Sequence, residues 1–80
     1  MSVKDAVAER VSAICAERRI RVNELANISG ITPSTVYSLL DVRRRDVSIV
    51  TIKKLCDGLD MTLAEFFSAP EFDALEQELK

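Results

Sequence analysis

Eighty residues, 48% apolar and 30% charged, make one small globular domain rather than a disordered chain. A chain this short removes only about 60–65% of its unfolded surface from water, so its core is thin and self-association would help it. The formal net charge of −2 excludes a uniformly basic surface. No apolar run approaches the roughly 20 residues that span a bilayer, which argues against a membrane partner.

The opening stretch MSVKDAVAER carries charges where a signal peptide would be apolar, so the chain is expected to be cytoplasmic. A first helix is predicted from Val3 or Lys4 to Arg18, with Val3, Val7, Val11, Ile14 and Cys15 as one apolar stripe. A second spans about Val22 to Ser29 and stops at Gly30, which takes positive φ at no steric cost. Thr32 is a good cap for a third helix, and Pro33 falls at its first position, where the missing N–H costs nothing. That helix runs to Leu40 or Asp41, and DVRRRDV after it has no apolar period and reads as a loop. Ser48 caps a fourth helix whose Ile49, Ile52, Leu55, Cys56 and Leu59 recur at three-four spacing. Thr62 and Glu65 match a capping box for a short fifth helix ending at Phe67. Ser68 and Glu71 repeat that pattern before a last helix edged by Phe72, Leu75 and Leu79. No alternating strand pattern competes, so the class is all-α.

The segment Val22 to Leu40 has the spacing of a helix-turn-helix. Ala26 lets two short helices approach, Gly30 makes the turn, and Val36 wedges into the buried side. Such a unit leaves the outer face of its second helix free for the major groove of DNA. The charge follows suit. Residues 1–46 carry eight basic groups against six acidic, and residues 47–80 three against seven. Between Arg18 and Arg45 the balance is six to two, and local potential rather than total charge steers binding.

Catalytic chemistry finds little to stand on, and no catalytic residue, metal ligand or cofactor is expected. There is no His, no Gly-rich phosphate loop, and Cys15 and Cys56 lack metal-ligand spacing. Both cysteines fit reduced, buried thiols better than a disulfide framework.

The carrying residues of a family likeness run through most of the chain. They are Glu24-Leu25-Ala26, Ser29-Gly30-Ile31, Ser34-Thr35-Val36, the run from Thr51 to Leu59, and the run from Thr62 to Phe67. Together they resemble the DNA-binding domain of Cro/C1-type (XRE) regulators, over roughly Asp5 to Phe67. The resemblance implies a five- to six-helix lambda-repressor-like fold in residues 1–67, with residues 68–80 as a C-terminal helix and possible dimerisation element. It implies a cytoplasmic transcriptional regulator, with repressor the expected type, whose partner is double-stranded DNA. The third helix would enter the major groove through Thr32, Pro33, Ser34, Tyr37 and Ser38, with Val36, Leu39 and Leu40 facing inward.

This chain departs from the family in places. None of those exposed residues is Arg, Gln or Asn, so the most discriminating bidentate base contacts are missing. Tyr37 can bond a phosphate or lie against a thymine methyl, and its other reading is a packing aromatic. Val22 stands where many members carry Gln and can grip no phosphate. Asn23 beside it reads equally as a phosphate contact or a helix cap, with Arg21 adjacent. Arg43, Arg44 and Arg45 occupy the loop that runs along the DNA backbone in the family, and specificity would then lean on duplex shape or on these arginines. The N–H groups behind Thr32 offer a further phosphate site.

The alternative function is a protein-binding module, such as an antitoxin or anti-repressor partner. A homodimer is expected, through Phe66, Phe67, Phe72, Leu75 and Leu79; equally, the last helix folds back on its own chain. No effector module is expected beyond the motif, so control would come from abundance, a partner or proteolysis.

Overall fold

Helices begin in this chain where a side-chain oxygen meets the first free N–H groups. Ser2 Oγ accepts from the Asp5 N–H at 3.1 Å while the Asp5 carboxylate accepts from the Ser2 N–H at 3.2 Å, and this capping box opens α1, Val3–Arg18. Thr62 and Glu65 repeat it at 3.0 and 2.8 Å to open α5, Leu63–Phe67. Thr32 Oγ1 accepts from the Thr35 N–H ahead of α3, Pro33–Leu40, and Ser48 Oγ from the Val50 N–H ahead of α4, Ile49–Leu59. With α2, Val22–Ser29, and α6, Pro70–Asp73, these make six helices and no strand among the described residues. The computed structural model describes residues 1–78. The family resemblance to an all-α, lambda-repressor-like fold holds.

Left-handed residues end three of the helices. Gly30 has φ 67°, and the Ile31 N–H reaches back to the Ala26 carbonyl at 3.1 Å. Arg19 and Asp60 take the same conformation without the freedom of glycine, at φ 57° and 56°.

One core joins all the longer helices. Val7, Val11 and Ile14 of α1 meet Leu25 and Ala26 of α2, Val36 and Leu39 of α3, Ile52, Leu55, Cys56 and Leu59 of α4, and Phe66 of α5. Each fully buried aliphatic or aromatic side chain contributes about 1.5–3 kcal/mol. The tightest approach is between α2 and α4. A Cβ on Gly58 would lie 2.6 Å from Ser29 Oγ and 2.7 Å from the Ile28 carbonyl oxygen, so only glycine lets the helices pass.

Four expectations change. Val3 is exposed at 42%, and Lys4 takes its place in the buried stripe, which runs Lys4, Val7, Val11, Ile14. Ile49 is also exposed, at 58%, because α4 packs on α2 near Gly58, nine residues and roughly 13 Å further along the helix. The Ser68–Glu71 capping box does not form. Ser68 caps the end of α5, its N–H on the Glu65 carbonyl at 3.3 Å, so the residue before α6 is Ala69, which has no side chain to cap with. The last helix therefore closes at Asp73, Leu75 follows it outside any helix, and Leu79 lies outside the described residues.

Candidate nucleic-acid interface

The outward face of α3 follows from what holds its inward one. Val36 is fully buried and Leu39 nearly so, which anchors the helix against α1 and α2. Leu40, expected inside, is only half-buried at the helix end. Helical rotation then turns Pro33, Ser34 and Tyr37 to the surface. Tyr37 is 57% exposed, which removes the reading of it as a packing aromatic. Ser38 is half-buried beside Leu39.

The start of α3 uses most of its own donors. Thr32 Oγ1 caps the Thr35 N–H at 3.3 Å and shares hydroxyl bonds with Ser34 at 3.0 Å and Thr35 at 2.9 Å. Pro33 has no N–H, and the Val36 N–H bonds the Thr32 carbonyl at 3.4 Å. Only the Ser34 N–H is left for a phosphate, so the expected helix-terminus site shrinks to one donor.

On α2, Arg21 and Asn23 are exposed and flank the turn into the reading unit. Arg21 holds the N-cap position, and Glu24 reaches back to its N–H at 3.5 Å, so Asn23 is not the helix cap. Val22 is half-buried against the core, which explains an apolar residue at that position.

The three loop arginines do different things. Arg43 forks onto Asp41, Nε to Oδ1 at 3.1 Å and Nη2 to Oδ2 at 3.0 Å, while its own N–H bonds Oδ1 at 3.0 Å. Those bonds hold the Asp41 carboxyl down to about 2, well below the usual range. Arg44 lines a shallow cleft of about 140 Å³ with Ser38, Thr35 and Thr51, so it stands beside the C-terminal half of α3. Arg45 lines another cleft with Val3, Lys4 and Glu78, toward the start of α1. The loop thus puts one arginine against the reading helix, one on a carboxylate and one toward the start of α1.

Other cations are structural, which composition did not reveal. Lys4 is 2% exposed and its Nζ donates to the Asp41 carbonyl, the end of α3. Arg18, the first of the six cations between Arg18 and Arg45, donates to the Leu59 carbonyl at the end of α4. Arg10 donates to the carbonyls of Phe66 and Glu65 at 2.7 and 2.9 Å, closing α5. Each places positive charge at the negative end of a helix dipole. A signal existed: Lys4, Val7, Val11, Ile14 and Arg18 keep strict three-four spacing, so both cations lie on the apolar stripe rather than opposite it.

Both cysteines are free thiols, and burial raises the pKa of each. Among the described residues no group of three or more His, Cys, Asp or Glu could hold a metal, and no helix is long and apolar enough to cross a membrane.

Comparison with known proteins agrees with this geometry. The profile of the Cro/C1-type HTH DNA-binding domain matches residues 10–71. A crystal structure of the prophage Lp1 protein 11 superposes with a TM-score of 0.81 at 25% identity, covering 94% of this chain and 100% of that one. No curated protein matches this chain.

Proposed function

The chain belongs to the Cro/C1-type helix-turn-helix family of DNA-binding domains, and we propose that it represses transcription with α3 laid in the major groove of an operator. The observation that carries this reading is the division of α3. Val36 and Leu39 hold it in the core, while Pro33, Ser34 and Tyr37 stand free, with Arg44 beside Ser38 at its far end. Ser34 and Tyr37 meet base edges, Thr32 supports them with a hydroxyl largely spent on capping α3, and Ser38 lies half-buried behind them. Arg44 takes a phosphate as a charged fork, and Arg21, Asn23 and Arg45 flank the path of the backbone. Readout leans on duplex shape, because no bidentate reader lies on the exposed face. A DNA partner puts the chain in the cytoplasm, as two copies on half-sites about one helical turn apart.

Selection of bound duplexes from a randomised pool at two salt concentrations tests this. An enriched palindrome is expected. Arg44→Ala should weaken binding to every sequence alike and lower the slope of log affinity on log salt by about 0.9. Ser34→Ala or Tyr37→Ala should change which sequences are enriched. Unaltered preferences in both would overturn the placement of α3. Failure to bind any duplex at low salt would favour the protein-binding alternative instead.

A further inference from the structure

Asp41 stands where three sets of bonds meet. It follows α3 directly as the C-cap, and its carbonyl accepts from the buried Lys4 ammonium and from the Arg44 N–H at 3.0 Å. Its carboxylate accepts three bonds from Arg43, two of them in the parallel fork that guanidinium makes with a phosphate. The Arg43 side chain is 87% exposed and, among the described residues, bonds nothing besides Asp41. An exposed ion pair adds little to folding stability. Its consequence lies in binding.

We propose that Asp41 is an intramolecular stand-in for a DNA phosphate, which occupies Arg43 and withholds it from the DNA backbone. The proposal rests on the reading of α3 and the following loop as the DNA face. Of three consecutive arginines, one is then tied to the chain itself, and the backbone affinity is set below what the cluster would otherwise give. Affinity from phosphate contacts is blind to sequence. A chain with no bidentate base reader gains most from limiting it, since selectivity is the ratio of specific to non-specific binding. The carboxylate holds its place because Lys4 pins the backbone beneath it, so the carboxylate stays beside the arginines rather than drifting with the loop.

Asp41→Asn isolates the charge. An amide oxygen in the Oδ1 position still accepts from the Arg43 N–H and keeps the local turn, while the anionic partner of the guanidinium is gone. Affinity for a mixed-sequence duplex would be measured from 50 to 200 mM salt for the wild type, Asp41→Asn, Arg43→Ala and the double variant, each first checked for an unchanged helical signal. Asp41→Asn should bind more tightly and steepen the salt slope by about 0.9, which is about 3.5-fold more affinity lost across that range. Arg43→Ala should match the wild-type slope. The gain from Asp41→Asn should vanish when Arg43 is absent. A gain that persists without Arg43 is a general charge effect and overturns the proposal, as does Asp41→Asn binding no tighter than the wild type. Binding by the wild type with no coupling between the two positions sinks this proposal alone. A wild type that binds no duplex sinks the DNA reading with it.

Discussion

Gly58 decides how closely α2 and α4 lie. Its missing Cβ would meet Ser29 Oγ and the Ile28 carbonyl at 2.6 and 2.7 Å, and the second of these cannot rotate away. Alanine would gain roughly 1 kcal/mol in helix propensity but would pry the helices apart. Gly58→Ala should lower stability by about 1–2 kcal/mol, read as a drop in thermal midpoint, and Ser29→Ala should recover only part because the carbonyl remains. An unchanged midpoint would show that the two helices tolerate wider spacing. The Ser29 hydroxyl is itself buried without a partner, so Ser29→Ala alone should be close to neutral. In the sequence Gly58 is simply a glycine within a good helical pattern; the neighbour that requires it comes from a segment some thirty residues away. Lys4 is the same kind of residue. Its charge argues for the surface although its spacing places it on the apolar stripe, and the carbonyl that receives it comes from the far end of α3.

Among elements, the caps were the most legible features, because capping involves residues three apart. Thr32, Ser48 and Thr62 act as caps as their positions predict, with Glu65 closing a box on Thr62, and the structure adds a second box between Ser2 and Asp5. The bonds that form these boxes lower the pKa of both carboxyls, chiefly those to the backbone of Ser2 and Thr62. A depressed folded value means stability that is fully present above the unfolded values of about 3.9 and 4.3, and lost as pH falls through the folded ones. Chemical denaturation followed from pH 6 down to pH 2 should therefore show a progressive loss of stability below about pH 4. Asp5→Asn with Glu65→Gln should flatten that loss, and an equally steep profile in the double variant would mean that other groups carry it. The box expected at Ser68 failed for a reason no spacing rule contains. Ser68 is still engaged in ending α5, and the Phe72 ring meets Phe66 and Phe67 with centroids 6.1 and 4.9 Å away, so packing rather than capping sets where α6 lies.

At the scale of the whole molecule, the surface left for a second copy is narrower than the apolar residues suggested. Phe66 is fully buried in its own core, with Arg10 over its ring at 5.9 Å, and so cannot serve as a contact. Phe67, Phe72 and Leu75 remain half-buried around α6, which packs on α1. We propose that a homodimer forms over this edge and is completed on DNA. Sedimentation at micromolar concentration should detect a species of twice the 8.9 kDa chain mass, and two copies per operator. A single-chain species alone, with one copy bound per site, would overturn the dimer.

What depends on near neighbours along the chain was legible in the residues alone: the starts of the first five helices, the left-handed turn at Gly30, Val36 and Leu39 facing inward on α3, and with them the helix-turn-helix and its family. Those features are set within one or two helical turns, where periodicity and capping act. What depends on where the ends of helices point emerged only from the packing of distant segments. That packing placed Lys4, Arg10 and Arg18 on the carbonyls that end α3, α5 and α4, and it separated Arg43, Arg44 and Arg45 into three different surroundings. A charge seeks the nearest opposite dipole in space, and that partner is fixed only when distant segments pack.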